Sequence, residues 1–386
     1  RLAAEFFPHG AVTGKDMGVR VILTTGGTGG HIFPAVSIAN AVKEKCPRAE
    51  ILFVGAEDRM EMEKVPAAGY KIVGLPISGF SRRHVWKNFR VLYRLVKSIG
   101  RARAIVKTFR PDIAVGVGGY ASGPTLWAAA RRGVPTLIQE QNSYAGVTNK
   151  LLASKAVKIC VAYENMERFF PKERIVLTGN PVRQSLQDIS CTREEAITFF
   201  GLDPKKKTVL VVGGSLGART INQSVISALD RIPGDEVQLI WQSGKYYEES
   251  VKAALAGKDY DYVVQMPFIT RMDMAYKAAD LVISRAGAGS ISELCLLGKP
   301  ALLVPSPNVA EDHQTKNAMA LSEKGAALLI PDSEAVARLI DTAMDIVRND
   351  VLLEKMQQRI LSLAQRDSAA RIADIILEIV AEKKSK

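Results

Sequence analysis

The sequence predicts an α/β fold built as two similar domains, each a parallel sheet covered by helices on both faces. Three observations lead there. Short β-branched runs alternate with stretches of helical period along the chain, as in parallel sheets buried on both sides. The pattern starts twice, about 190 residues apart, each time as an apolar run ending in a glycine loop: VRVILTTGGTGGH from Val19 and KTVLVVGGSLGA from Lys207. A chain of 386 residues, 47% hydrophobic and 24% charged, can fill more than one core.

The elements follow in order. Residues 1–16, RLAAEFFPHGAVTGKD, read as a leader or remnant ahead of the fold, with Met17 as a start. They lack the basic start and apolar centre of a signal peptide. An N-terminal domain, 17–180, takes strands at Val19–Thr24, Ile51–Val54, Ile113–Val117 and Thr136–Gln139. A C-terminal domain, 181–366, takes strands at Thr208–Val212, Val237–Trp241, Tyr262–Met266, Leu281–Ser284 and Ala301–Val304. The boundary falls in TGNPVRQSL (Thr178–Leu186), where Gly, Asn and Pro interrupt the alternation. The last segment, 367–386, holds an amphipathic helix with Ile372, Ile375, Ile376 and Ile379 at helical spacing.

Composition narrows the function. No run approaches the length of an apolar membrane span. Cys46, Cys160, Cys191 and Cys295 are scattered, without a C-x-x-C pair, which argues against a disulfide framework or zinc site and fits a reducing compartment. Net charge is +12, and the excess is local: Lys64 to Pro111 contains no acidic residue. Such a patch seeks phosphate, in nucleic acid, anionic lipid or a phosphorylated substrate. No nucleic-acid module accompanies it, so nucleic acid is not expected as a partner.

Glycine loops between strand and helix expose backbone N–H groups at a helix N-terminus, a seat for diphosphate. GGTGGH, GGSLGA and RAGAGS (Arg285–Ser290) are three such loops. Neither GGTGGH nor GGSLGA fits the dinucleotide fingerprint. Gly116 to Ala121 does fit, with Glu140 beyond it, which keeps a nicotinamide oxidoreductase as an alternative. Walker A is absent. The triplet Asp259-Tyr260-Asp261 precedes a strand and reads as a polar loop, so no metal ligand set and no cofactor are expected.

Seven motifs then occur in order: GGTGGHIFPAVSIA, GVGGYASGP, QEQNSYAGVTNK, GNPVR, GGSLGA, SRAGAGSISE and EDHQTKNA. Together they closely resemble the MurG family of bacterial peptidoglycan glycosyltransferases, across essentially Met17 to the C-terminus. The resemblance implies the GT-B fold, two Rossmann-like domains facing across a cleft, with the last helix returning to the N-terminal domain. It implies an inverting transfer of N-acetylglucosamine from UDP-GlcNAc to the C4 hydroxyl of the muramoyl sugar of lipid I, giving lipid II and UDP. It also implies a peripheral location on the cytoplasmic face of the bacterial inner membrane, with other cell-wall or division proteins as partners. Within the same fold, a glycolipid transferase or a UDP-GlcNAc epimerase is the alternative, and a non-catalytic lipid scaffold is a third class.

Residue by residue, the resemblance implies donor contacts at Thr28, Gly29, Gly30, Asn142, Arg183, Ser215, Leu216, Gly217, Phe268, Ile269, Arg285, Glu293 and Gln314. Glu293 would accept the ribose hydroxyls, Ser215 would meet the diphosphate, Phe268 and Ile269 would border uracil, and Gln314 would contact the sugar. His313 departs from the family's Gln-Gln pair. Gly26, Gly27, Tyr120 and Asn149 fall on the acceptor side, where GGTGGH approaches the lipid diphosphate. His31 borders that loop, and a pKa near 6.5 suits proton abstraction from a sugar hydroxyl; it is the expected base or acceptor-positioning group. Phe80, Arg82, Arg83, Trp86, Lys87, Phe89 and Arg90 are expected at an anionic membrane surface, each cation contributing about 1 kcal/mol. Phe89, Leu92, Val96 and Ile99 also follow the spacing of a core-facing stripe.

Overall fold

The computed structural model describes residues 18–27, 29–78, 87–183, 186, 188–214, 216–309 and 312–385, with backbone alone at 29 and 87–90. Thr28, Phe80, Arg82, Arg83, Trp86, Ser215 and the leader lie outside the described residues, as do the side chains of Lys87, Phe89 and Arg90. The chain divides into two units: one runs to Pro181 and includes the segment from Asp367 onward, and the other is Val182–Arg366.

The first unit holds a seven-stranded parallel sheet. Its strands are β1 (Arg20–Thr24), β2 (Glu50–Ala56), β3 (Lys71–Leu75), β4 (Ile113–Gly116), β5 (Thr136–Glu140), β6 (Lys158–Val161) and β7 (Ile175–Leu177). They lie in the order β3-β2-β1-β4-β5-β6-β7. Both faces are covered, and the two-residue period of a strand distributes the core. Val21 and Leu23 of β1 enter one apolar layer and Ile22 the other; Ile113 and Val115 of β4 part from Ala114 in the same way. The helix Ser368–Lys384 packs on the helix Gly29–Lys45. Its Ile372, Ile376 and Ile379 are buried in the layer that holds Val21 and Leu23.

The second unit holds six parallel strands, β8 (Lys207–Val212), β9 (Val237–Gln242), β10 (Val263–Met266), β11 (Leu281–Ser284), β12 (Ala301–Leu303) and β13 (Leu328–Leu329). Their order is β10-β9-β8-β11-β12-β13. The core gathers Val209, Val211, Trp241 and Ile283 with Leu339, Ala343 and Val347 of the helix Asp332–Val347.

In both sheets the order reverses beside the first strand, between β1 and β4 and between β8 and β11. Open α/β sheets hold ligands beyond the strand carboxyl ends at such a point. GGTGGH and GVGGY follow β1 and β4; GGSLGA and RAGAGS follow β8 and β11.

The strands β3, β6, β7 and β13 were not expected from sequence. β3, β7 and β13 are sheet edges, where only part of each strand is covered, and β6 opens on the half-buried Lys158, which leaves three consecutive buried residues, so their apolar signal is weak. The helix Lys87–Phe109 corrects the core stripe. Leu92 and Val96 are 54% and 62% exposed, and the buried line is instead Val91, Ser98, Ala102, Val106 and Phe109. A helix with apolar residues on more than one face fits both stripes by spacing; contact with the sheet selects one.

Candidate active site

In the second unit, the loop after β8 turns on Gly214 (φ +92°) and Gly217 (φ +80°), a region that favours glycine. Gly217 lies so close to the Ser243 carbonyl that a Cβ would overlap it. Gln242, at the end of β9, is the buried tie. Its Nε2 donates to Gly214 O at 2.9 Å, and its Oε1 accepts from Ile269 N at 2.8 Å. One amide therefore joins the glycine loop to the Phe268–Ile269 segment. Ile269 is buried and its side chain belongs to the core, whereas Phe268 is about half exposed and Leu216 is exposed at the loop tip. Sequence reasoning missed Gln242, because a polar residue ending an apolar strand looks like any strand terminus.

The helix Ala288–Leu297 follows the loop after β11 and carries Glu293. Arg183 meets one carboxylate oxygen, Oε1, through Nε at 2.9 Å and Nη2 at 2.8 Å. The Tyr276 hydroxyl donates to Oε2 at 2.9 Å. Burial raises the Glu293 carboxyl above its ordinary pKa, while Arg183 and the Tyr276 hydrogen bond pull it down. Burial, then the adjacent carboxylate, hold the Tyr276 phenol well above its usual range, so it remains a donor. An ionised carboxylate offers about four lone-pair sites; the two Arg183 contacts fill those of Oε1, and Oε2, with Tyr276 alone, retains capacity for one further donor.

Arg285 and Gln314 brace this end of the sheet. Arg285 Nη1 donates to Val304 O (3.1 Å), Pro305 O (3.2 Å) and Asp332 Oδ1 (2.5 Å). The other Asp332 oxygen accepts from Thr220 Oγ1 at 3.0 Å, on the helix that follows GGSLGA. Asp332 thus links the two glycine loops of the unit. Gln314 Oε1 accepts from Ala286 N (3.1 Å) and Ser306 N (2.9 Å), which fixes the side chain through its oxygen.

In the first unit, the GGTGGH and GVGGY loops interlock through glycines. Gly118 (φ +103°) faces the His31 imidazole and Gly119 (φ +82°) faces the Gly26 backbone; a Cβ on either would collide. His31 Nδ1 lies 2.9 Å from Gly26 O. Gly27 (φ +80°) donates its N–H to Glu61 Oε2 at 3.0 Å. Gly30 and Tyr120 are exposed.

Glu140, at the end of β5, organises the loop that follows. Its Oε1 accepts from Asn142 N (3.0 Å), and its Oε2 accepts from Gly146 N (3.1 Å) and Asn149 Nδ2 (2.8 Å). Asn149 is buried with its amide turned to Glu140. The dinucleotide alternative needs Glu140 as a ribose acceptor, but the carboxylate is buried and ringed by the loop it shapes. Asn180 of the GNPVR motif is pinned in the same unit, accepting from Gln139 Nε2 (2.8 Å) and donating to Gln141 O (3.0 Å).

The helix Lys87–Phe109 packs on the helix Ser122–Arg131 and exposes Leu92, Tyr93 and Val96. On that second helix Trp127 lies under two guanidinium groups, Arg103 at 4.8 Å and Arg131 at 5.1 Å from the ring centre. A cavity of about 450 Å³ is lined by Trp127, Arg131, Leu151 and Lys155 among others. Among the described residues no helix is long and apolar enough to cross a membrane, and no group of three or more His, Cys, Asp or Glu is arranged to hold a metal ion.

Comparison with known proteins places the chain. Residues 21–161 match the glycosyltransferase family 28 N-terminal domain and residues 208–374 match its C-terminal domain. A protein of Parabacteroides distasonis is 64% identical over 94% of this chain and 99% of its own length. One from Phocaeicola vulgatus is 61% identical over 94% and 96%. Both carry the name UDP-N-acetylglucosamine–N-acetylmuramyl-(pentapeptide) pyrophosphoryl-undecaprenol N-acetylglucosamine transferase. The crystal structure of Acinetobacter baumannii MurG superposes with a TM-score of 0.75 at 29% identity, covering 93% of this chain and 99% of that one. A UDP-GlcNAc 2-epimerase from Neisseria meningitidis, at 14% identity and a TM-score of 0.65, shares the fold alone. With matches to both halves of its domain pair and whole-length relatives above 60% identity, the chain belongs to glycosyltransferase family 28, in its MurG branch.

Proposed function

We propose that the chain moves N-acetylglucosamine from UDP-GlcNAc to the C4 hydroxyl of the muramoyl sugar of lipid I, forming lipid II and UDP. The observation that carries this reading is the 64% identity, along nearly the whole of both chains, to a transferase named for that acceptor. The donor belongs at the β8/β11 switch point. There GGSLGA offers backbone N–H groups to the diphosphate and Glu293 accepts the ribose hydroxyls. Gln314, held by its oxygen, turns its amide nitrogen to the transferred sugar. Phe268 borders the base. Arg183 positions Glu293 and favours its ionised form against the opposing effect of burial.

The acceptor belongs at the β1/β4 switch point. His31 takes the proton of the C4 hydroxyl; that oxygen attacks the anomeric carbon, and the bond from carbon to the diphosphate oxygen breaks with its electron pair leaving on UDP. Attack from the opposite face inverts the configuration. Charge on the departing diphosphate is met by the N–H groups and helix N-terminus after β8. Arg285 braces this seat from behind. The exposed Leu92, Tyr93 and Val96, with the basic residues around them, rest on an anionic bilayer at the cytoplasmic face, which brings the lipid within reach.

Radiolabelled UDP-GlcNAc with a short-chain lipid I analogue tests the reading. The expected result is a labelled disaccharide lipid and stoichiometric UDP, with a loss of about 10²-fold or more in turnover for His31→Ala. Absence of sugar transfer to that acceptor, with UDP-GlcNAc bound, would reject it.

A further inference from the structure

Glu61 is fully buried, and none of the described cations pairs with it. Both carboxylate oxygens accept backbone N–H groups instead: Oε1 from Ala56 N at 3.0 Å and Oε2 from Gly27 N at 3.0 Å. Ala56 ends β2, and Gly27 lies in the glycine loop after β1. Accepting at both oxygens at once is something an ionised carboxylate does and an amide cannot.

The Gly27 N–H is one end of a planar peptide unit whose other end is the Gly26 carbonyl. In a trans peptide the two groups point in opposite directions. The Gly26 oxygen is the partner of His31 Nδ1, at 2.9 Å. Carboxylate, peptide and imidazole therefore stand in series, with Glu61 at one end and His31 at the other. Glycine at both peptide positions fits this arrangement. Gly27 adopts a left-handed φ of +80°, and Gly26 is pressed between Glu61 and Gly119. Gly118 leaves room for the Cδ2 and Nε2 edge of the imidazole, which a Cβ there would strike.

We infer that Glu61 is the positioning residue of His31: acting through the Gly26–Gly27 peptide, it keeps the neutral imidazole protonated at Nδ1, with the lone pair on Nε2. This rests on the reading of His31 as base given above. A carbonyl accepts but cannot donate, so a close Nδ1 contact with it requires the proton on Nδ1. Glu61 fixes where that carbonyl points. By hydrogen bonding to the N–H end, it also polarises the peptide and strengthens the carbonyl as an acceptor. When Nε2 takes the hydroxyl proton, Nδ1–H remains on Gly26 O, and the positive charge of the imidazolium is stabilised by that oxygen and by the carboxylate behind it. The arrangement performs the orienting function of a carboxylate paired directly with a histidine, with one peptide unit interposed.

The experiment is ¹⁵N NMR of the histidine-labelled full chain at pH 8, with the His31 signals assigned from the His31→Ala spectrum, alongside steady-state kinetics. The wild-type imidazole is expected as the Nδ1–H tautomer. Glu61→Gln keeps the volume but can accept only one of the two N–H groups. It is expected to shift His31 toward the Nε2–H form and to lower kcat by about tenfold to a hundredfold, with KM for UDP-GlcNAc within about twofold of wild type. A wild-type far-UV circular dichroism spectrum and a thermal transition of undiminished amplitude show that the first unit, which carries Glu61, remains folded. A wild-type His31 protonated at Nε2 overturns the inference without any variant, and so does a Glu61→Gln enzyme with undiminished kcat. Full turnover in His31→Ala would instead remove the base role of His31, and the tautomer measurement would still decide the coupling to Glu61.

Discussion

Replacing Glu293 by Gln tests the donor seat at its most buried charge. The exchange preserves size and removes ionisation. Its single amide oxygen can still accept from Tyr276, but the amide NH2 then faces Arg183, so the guanidinium turns outward. The Arg183 side chain is 46% exposed, and water compensates it there. The stability cost is therefore small, about 1 kcal/mol, or a fall in Tm of roughly 2–4 °C for a unit of this size. The ligand cost is larger. Each hydrogen bond from a ribose hydroxyl to an ionised acceptor is worth about 1.5–3 kcal/mol. Losing one lowers affinity for UDP by roughly 30-fold. Isothermal calorimetry with UDP and 2′-deoxy-UDP reads this directly: wild type should prefer UDP, and the variant should bind both alike. Equal binding of the two nucleotides by wild type, or undiminished UDP affinity in the variant, refutes the reasoning.

The same residue sets a pH dependence whose sign can be worked out. Burial raises the Glu293 carboxyl above its ordinary value. Between the ordinary and the raised value, the folded unit holds a proton that the unfolded chain has released. Stability from this group is therefore gained as pH falls through the raised pKa and diminishes as pH rises through it, the reverse of an exposed, salt-bridged acid. Thermal denaturation across the acid range should show this component in wild type and lack it in Glu293→Gln.

Two further outcomes follow from the geometry. Asp332→Asn removes the charge that holds Arg285 and links the two loops of the second unit; the pair is 14% and 20% exposed, so the expected cost is about 2 kcal/mol. Thermal denaturation should show it, and KM for UDP-GlcNAc should rise more than kcat falls; an unchanged KM would show that the link is structural only. Replacing Leu92, Tyr93 and Val96 together by Ser should leave the fold intact and reduce flotation with anionic liposomes, while neutral liposomes bind neither protein. Equal flotation of wild type and variant would move the membrane contact elsewhere.

The sequence by itself determined the α/β class, the double start and the glycine loops, because these depend on local chemistry. A buried parallel strand must be apolar on both faces, as Val21, Ile22 and Leu23 are. A strand-to-helix turn with left-handed φ values favours glycine, as at Gly27, Gly214 and Gly217. What the tertiary structure alone decided is which polar groups meet. Glu61, Gln242 and Asp332 are unremarked in sequence because their partners are distant along the chain: Gly27 is 34 residues from Glu61, Gly214 is 28 from Gln242 and Thr220 is 112 from Asp332. The sequence also could not choose the buried stripe of the helix Lys87–Phe109, since spacing gives the faces of a helix and only packing selects the one that loses water.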